Sequence, residues 1–425
     1  MRIFCLAAAS VLMCLTAARA ADWPNFRGPG GAALSTDKHL PVTWGDHENL
    51  VWQVELPGAG SSSPIVSGDR VFVTCYSGYG VDREQPGKPA DLVRRLVCVG
   101  LRGGAVLWDK PLAAVQPEDA YQGMMAEHGY ASHTPATDGE RVYCFFGKSG
   151  VYAFDLEGNE LWHASVGAGS AILGFGSGAS LALYQDLVIV NANAESESLI
   201  ALDKQSGRQV WKTEAKGYRG SWSTPVIVPT SGKPELVVNM PGEVWGLDPD
   251  DGGLYWFSTA QRTAGSTTAV AKDGIVYSLG GGPGGAMVTA IRTGGSGDVT
   301  ESNLLWKKTV GSYVPSPVLV DGRLYWVSDQ GIVYCLRADS GEQLFRERLG
   351  GGGLYASLIA ADGKLYAVTR RNGAVVLAAG PTFEKLAHNR LESDTSDFNA
   401  SPAVADGCLL LRSNRSLYCI GIQKP

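Results

Sequence analysis

Charged residues, paired cysteines and long amphipathic helices are scarce in this chain. Only 18% of its 425 residues are charged, and 36 Lys and Arg face 42 Asp and Glu, a formal net charge of −6. A protein that binds a phosphate backbone normally carries a basic excess, so nucleic acid is excluded as an expected partner. The sequence also lacks a CxxC pair and any Cys/His spacing of a structural zinc site.

Motifs for common enzyme chemistry are missing as well. The glycine-rich segments 167–178 and 280–285 contain no GxxxxGK[ST] phosphate loop, so tight turns explain them better. Gly176-Ser177-Gly178 lies in a connection rather than in a nucleophile elbow. His128 and His133 are five residues apart in a loop, with Glu118, Asp119 or Glu127 as an available third ligand. That spacing is unspecific, and no metal site is predicted.

The first twenty residues look like an export signal. Arg2 precedes an apolar run over residues 3–18, and Ala18-Arg19-Ala20 forms a small-x-small end. This pattern predicts a signal peptide over residues 1–20 and a protein exported to the periplasm or the extracellular space. No later stretch is long and apolar enough to span a membrane. Bulky Met13 before Cys14 does not suit a lipid-anchor signal.

Glycine, tryptophan and short apolar runs are abundant instead. The chain has 55 Gly, 21 Pro and 11 Trp, and 44% of its residues are hydrophobic. Gly-bounded apolar runs of strand length indicate an all-β protein with a large core. A chain of this size normally forms two or more domains unless one repeat fills its whole length.

One repeat does fill it. A pair of mostly apolar residues ending in an aromatic recurs at intervals of about 39 to 54 residues, the period of a four-stranded propeller blade. Asp-Gly turns typical of β-hairpins precede many copies, as at Asp138-Gly139 and Asp321-Gly322. The aromatic positions are Trp52, Trp108, Trp162, Trp211, Trp256, Trp306 and Phe345, with a weaker copy at Ala387.

The two termini each carry part of a blade. Residues 401–422 supply three strands and then end without an aromatic strand, whereas residues 50–56 form an aromatic strand with no blade of their own. We therefore expect the N-terminal strand to complete the last blade, which leaves no unpaired sheet edge between the ends. The prediction is an eight-bladed β-propeller over residues 49–425, with seven blades as the alternative, preceded by a lead segment over residues 21–48.

The repeat resembles that of quinoprotein-type (PQQ-like) β-propellers. Residues 201–211, ALDKQSGRQVW, are similar to the pattern A-x-D-x-x-T-G-x-x-x-W of that family, and residues 23–29, WPNFRGP, resemble its exported bacterial members. The resemblance implies structural roles: Asp203 bonds turn amides, Gly207 adopts a positive φ, and the tryptophans pack between blades. It extends to the propeller subunit of the outer-membrane β-barrel assembly machinery, which implies a protein-binding scaffold.

Long loops are predicted on one face of the ring, around the mouth of its central channel. Connections on that side include residues 76–94, 113–133, 191–198 and 280–286. Insertions in repeat proteins usually lie on the binding face. The residues that precede the first strands, with two neighbours, are therefore candidate ligand-binding residues: Ser61, His128, Ser132, His133, Arg219, Trp222, Tyr313, Tyr355 and Asn399.

Two functions remain open from the sequence. The first is a monomeric, non-catalytic scaffold that binds a protein or another envelope component and holds no cofactor. The second, implied by the family resemblance, is a quinone-dependent oxidoreductase with PQQ and Ca²⁺ at the channel mouth. The adjacent cysteine pair of those enzymes is missing here, since no two of the eight cysteines are neighbours.

Overall fold

The computed structural model describes residues 22–218, 220–261, 265–282, 285–350 and 352–422, without the side chain of Leu173. The predicted signal peptide over residues 1–20, and Arg219, lie outside the described residues. Within these ranges no helix is long and apolar enough to cross a membrane.

The described chain forms eight four-stranded antiparallel blades around a central channel, which confirms the predicted propeller. Each blade runs from an inner to an outer strand, and short turns and long loops alternate between the two faces. The strands of blades 1 to 4 are β3–β6 (Ile65–Ser67, Arg70–Ser77, Val93–Gly100, Val106–Ala113), β7–β10 (Ala136–Thr137, Arg141–Phe145, Val151–Asp155, Glu160–Ala164), β11–β14 (Ala182–Tyr184, Leu187–Ala192, Ser198–Asp203, Gln209–Glu214) and β15–β18 (Val226–Val228, Glu235–Met240, Glu243–Leu247, Leu254–Ser258).

Blades 5 to 8 follow the same order, with two additional strands. A parallel strand β22 (Gly297–Asp298) is added to β18, and β1 (Leu34–Ser35) is added to the inner strand of blade 7. The strands of these blades are β19–β21 and β23 (Val270–Lys272, Ile275–Gly280, Met287–Arg292, Leu304–Lys308), β24–β27 (Val318–Val320, Arg323–Val327, Ile332–Arg337, Gln343–Arg348), β28–β31 (Ile359–Ala361, Lys364–Val368, Ala374–Ala378, Lys385–Asn389), and β32–β34 with β2 (Ala403–Ala405, Cys408–Arg412, Ser416–Ile420, Leu50–Glu55).

In the part of the chain that the structure describes, helices are few and short. Two single α-turns lie on the long-loop face, α1 (Met125–His128) and α2 (Asn193–Ser196). The 3-10 turns are Pro29–Gly31, Pro89–Asp91, Gly147–Ser149 and Ile172–Gly174.

The ring closes between its two ends as the sequence predicts. Strand β2 pairs antiparallel with β34, with Leu50 opposite Ile420 and Glu55 opposite Ser416. The last blade therefore has four strands, and the backbone of β34 is covered on both sides.

Aromatic side chains of the outer strands connect neighbouring blades. The indole N–H of Trp162 donates to Lys204 O at 2.9 Å in the next blade, where a Cβ on Gly207 would lie only 2.5 Å from the Trp162 ring. Gly207 has φ +70°, and Asp203 Oδ1 accepts from the amide of Ser206 in the same turn. The same indole-to-carbonyl bond links Trp52 to Leu101, Trp108 to Leu156, Trp211 to Pro249, and Trp306 to Ala338.

The lead segment crosses the short-turn end of the channel. Trp23 pairs with Val66 of blade 1, and Leu34 pairs with Ala360 of blade 7, which is separated from blade 1 by blade 8. Between them Arg27 is buried, with Nε donating to Gly31 O at 3.0 Å and Nη2 donating to Pro317 O. The lead segment thus gives the channel a floor.

Candidate binding site at the channel mouth

The long-loop face carries the connections that close over the channel. Residues 78–92 form a loop within blade 1, whereas 114–135 connect blades 1 and 2 and 165–181 connect blades 2 and 3. Residues 193–197 form a short loop of blade 3 that includes α2. Ser61 Oγ donates to His128 O at 2.9 Å, and Asn399 Nδ2 donates to Glu127 O at 3.0 Å. Helix α1 is therefore fixed at the mouth by one side chain from blade 1 and one from blade 8, the two blades that meet where the ring closes.

The structure brings most of the candidate residues together. A single cavity of about 160 Å³ is lined by Ser61, His128, Ser132, Trp222, Tyr313, Tyr355 and Asn399. All of these residues except His128 lie within a few positions of the start of an inner strand. Because the inner strands surround the channel, this position brings their side chains close to the channel axis. Whether they bind a ligand stays a prediction.

His128 links two of the long loops. Its Nδ1 lies 2.7 Å from Ser132 Oγ, and its Nε2 lies 2.8 Å from Phe175 O in the neighbouring loop. Trp222 Nε1 donates to Gly176 O of that loop at 2.8 Å. Burial lowers the pKa of His128, so the ring is neutral at pH 7 and Nε2 carries the proton that it donates to the carbonyl.

His133 is placed elsewhere, although it neighbours Ser132 in the chain. Its side chain points away from the mouth and is buried, with Nε2 2.7 Å from Ser177 Oγ. Burial lowers the pKa of His133 well below its ordinary value, so the ring is neutral at pH 7. Glu195 of α2 lies beside Ser177, and burial raises the pKa of this carboxyl to about 7, although a hydrogen bond from Ser177 opposes the shift. Glu195 therefore titrates near neutral pH.

Two ion pairs near His133 anchor the 114–135 loop. Arg94 pairs with Glu118, and both side chains are buried. Lys148 Nζ donates to Asp119 Oδ1 at 2.8 Å, and Ser170 Oγ donates to the same oxygen at 2.5 Å. The sequence offered Glu118 and Asp119 only as alternative third metal ligands. In the structure both form ion pairs, which indicates a structural role.

A ring of hydroxyl groups lies below the mouth residues, and it was not predicted from the sequence. In seven successive blade junctions, the backbone N–H of one Ser or Thr donates to the side-chain oxygen of its counterpart in the next blade, at 2.8–3.3 Å. Five of the eight precede a proline, a signal that could have identified them. This hydroxyl ring consists of Ser63, Thr134, Ser180, Thr224, Thr268, Ser316, Ser357 and Ser401.

The rim of the cavity is stabilised by a cluster of charges around Arg370. Its guanidinium lies 4.4 Å from the centre of the Tyr355 ring and donates to Glu127 at 2.8 Å and to Asp397 at 3.0 Å. Burial alone would raise the pKa of Glu127, but hydrogen bonds from Arg83 and Arg370 outweigh it and lower the pKa. Arg370 is thus already neutralised by protein carboxylates.

The described lining does not fit PQQ with Ca²⁺. The quinone carries three carboxylates and Ca²⁺ takes carboxylate and carbonyl oxygens, but no Asp, Glu, Lys or Arg lines the cavity within the described residues. In the same part of the chain no group of three or more His, Cys, Asp or Glu is placed to hold a metal ion. The six cysteines of the described residues are free thiols, and none is adjacent in sequence to another.

Fold and site together define a closed eight-bladed β-propeller with a quinoprotein-type repeat and one loop-covered face. The family model for outer membrane protein assembly factor BamB matches residues 47–228, 93–347 and 287–386. The chain belongs to this family of PQQ-like propellers. It is 25% identical to outer membrane protein assembly factor BamB of Yersinia pestis over 299 residues, which cover 65% of this chain and 67% of the relative.

Solved structures with little sequence identity share the fold. BamB from Moraxella catarrhalis superposes with a TM-score of 0.61 at 14% identity, covering 88% of this chain and 98% of that one. Quinohemoprotein alcohol dehydrogenase from Comamonas testosteroni gives 0.59 at 11%, covering 97% and 82%. The computationally designed Ika8 protein gives 0.57 at 13%, covering 90% and 100%. An assembly factor, an enzyme and a designed chain thus share one architecture, so the fold alone does not assign the function.

Proposed function

We propose that this protein is an exported, non-catalytic scaffold that binds a protein partner in the cell envelope through its long-loop face. The family match to an outer-membrane assembly factor supports a protein-binding role. The observation that carries the proposal is a set of exposed aliphatic side chains on that face: Val81, Val115 and Ile172 are 54%, 42% and 49% exposed. Aliphatic groups exposed on loops over a rigid ring suit a protein interface.

These three side chains differ from the exposed aliphatic residues that lie beside the aromatic position of the outer strands. Leu107, Leu161, Val210 and Leu305 directly precede the Trp of an outer strand, where the register of the blade shifts by one residue. Their exposure repeats around the perimeter and follows from the bulge in each blade. Val81, Val115 and Ile172 belong to no repeat position, so the geometry of the blade does not explain their exposure.

Site-specific photo-crosslinking in intact cells of the native host tests the proposal. A photoreactive phenylalanine analogue would replace Val81, Val115 or Ile172, one at a time, with Leu305 on the perimeter as the matched control. We expect a discrete covalent adduct at the loop positions, identified by mass spectrometry as an outer-membrane assembly protein, and none at Leu305. Equal labelling at all four positions, or no adduct at the loop positions, would overturn the proposal.

The quinone-dependent alternative is tested separately. The donor set around the cavity predicts that the purified protein takes up no stoichiometric PQQ in the presence of Ca²⁺ and reduces no dye with alcohols or sugars. Uptake of one quinone per chain with turnover would contradict the non-catalytic role.

A further inference from the structure

The hydroxyl ring has more hydrogen-bond donors than the protein satisfies. The eight side chains are buried, and seven of the hydroxyl oxygens accept a backbone N–H from the preceding blade. Each hydroxyl still has its own hydrogen to donate. Within the described residues, none of the eight donates to a protein acceptor. The ring therefore presents a circle of unused donors to the cavity that it lines.

Among the described residues, two buried arginines next to this ring have no acidic partner. Arg27 lies under it, bonded to Pro317 O directly after ring residue Ser316, and its Nη1 has no hydrogen-bond partner in that part of the chain. Arg412 donates to Ser62 O at 2.8 Å, next to ring residue Ser63, and to Thr74 O at 2.7 Å. The bonds of both guanidiniums go to carbonyl, hydroxyl or thiol groups of the described chain. Burial without a counter-ion lowers the pKa of Arg27 to about 9 and also lowers that of Arg412.

Two buried cations of the long-loop face differ from these arginines, because each has an acidic partner. Arg94 and Lys148 pair with Glu118 and Asp119. Because a buried cation is stabilised by a nearby anion, the two uncompensated arginines favour negative charge in the cavity beside them.

The rest of the cavity lining is rich in aromatic side chains. Phe26 of the floor and Phe175, Trp222, Tyr313 and Tyr355 of the mouth line the cavity, whose volume is about 160 Å³. An enclosed site of about 150 Å³ accommodates one benzene-sized ring. Aromatic walls and a few directed polar groups are typical of sites for small planar ligands.

We propose that the channel cavity binds a small aromatic carboxylate, with the carboxylate accepting hydrogen bonds from the hydroxyl ring near Arg27 and Arg412 and the aromatic ring packing between the mouth residues. This site is independent of the protein partner proposed above. It also differs in charge and size from a quinone site, because one monocarboxylate needs neither Ca²⁺ nor ion-pairing residues in the lining.

Calorimetric titration of the purified chain without its predicted signal peptide tests this. Benzoate is the probe, benzamide is the neutral isostere, and acetate lacks the ring. We expect one site per chain at pH 7, with benzoate bound at least about tenfold more tightly than either control. Benzamide binding as tightly as benzoate, or no benzoate binding at about 10 mM, would overturn the proposal and indicate a water-filled cavity.

A pair of threonine variants in one blade separates binding from stability. Thr268→Val removes a ring hydroxyl, whereas Thr289→Val removes a buried hydroxyl of β21 that does not line the cavity. We expect about a tenfold weaker benzoate affinity for Thr268→Val and an unchanged affinity for Thr289→Val, with thermal unfolding recorded for both. Equal effects of the two variants on affinity would contradict the assignment of the ring as the carboxylate site.

Discussion

At the scale of single residues, side-chain direction decides which predicted residues reach the mouth. Ser132 and His133 are neighbours, but consecutive side chains of an extended chain point to opposite sides. Ser132 therefore faces the cavity and His133 faces Ser177. A residue that directly precedes an inner strand has a fixed position along the channel axis. The sequence therefore predicted which residues surround the channel mouth: Ser61, Trp222, Tyr313, Tyr355 and Asn399. It could not predict the partners of Arg94, Lys148 or Glu195, since these lie in long connections between blades that carry no repeat pattern.

Glu195 gives the protein a pH-dependent stability. Its carboxyl has a pKa of about 7 in the fold against an ordinary value of 4.5. The folded chain thus holds this proton more tightly, and the resulting stability is present below pH 4.5 and is lost as the pH rises through 7. Between pH 5 and 8 we expect the wild type to lose roughly 1–3 kcal/mol relative to Glu195→Gln, measured by denaturant unfolding.

The exposed Glu160→Gln, which makes the same carboxyl-to-amide change, is the control. Parallel curves for wild type and Glu195→Gln would show that Glu195 titrates as an ordinary carboxyl.

At the scale of the element, the residues that recur in the sequence repeat form the contact between neighbouring blades. The indole of one outer strand covers the β-turn of the next blade, and a glycine is required there for two reasons. At Gly207 the backbone has φ +70°, and the Trp162 ring leaves no space for a Cβ. Because indole, glycine and turn recur with the blade period, the sequence revealed the blades and their number. Strand β22 was not foreseen, since its two residues carry no strand pattern.

Two glycine variants measure this contact. Gly217 also has a positive φ, +86°, but a Cβ added there would meet no other atom within 4 Å, so Gly217→Ala isolates the backbone strain of about 1–2 kcal/mol. We expect Gly207→Ala to cost at least about 1 kcal/mol more than Gly217→Ala in urea unfolding, because the methyl group displaces the Trp162 ring. If both variants lost the same free energy of unfolding, the Trp162 indole would be able to move aside for the added methyl group without loss of stability.

At the scale of the whole molecule, the ring depends on contacts between the two ends of the chain. Residues 50–56 could be assigned to the last blade because both ends showed an incomplete blade. The lead segment has no incomplete blade pattern of this kind. Arg27 contacts Pro317, 290 residues away, and no periodic pattern in the sequence predicts that contact. The sequence therefore predicted the ring and its closure, but not the floor of the channel.

Matched tryptophan variants test the closure. Trp52 donates to Leu101 O at 2.7 Å, and Trp306 donates to Ala338 O at 2.9 Å. We expect Trp52→Ala to destabilise the protein by about 2–4 kcal/mol, at least half the loss caused by Trp306→Ala. If Trp52→Ala left the free energy of unfolding almost unchanged, the N-terminal strand would not contribute to the stability of the ring.

Hydrogen exchange is the sharpest test of the proposed function, a rigid ring that binds a protein through its long-loop face. Amides of the purified chain would be compared with and without the partner identified by crosslinking. We expect protection to appear in residues 78–92, 114–135 and 165–181 and to leave the outer strands unchanged. Protection confined to the perimeter strands or to the short-turn face, with these loops unaffected, would contradict it.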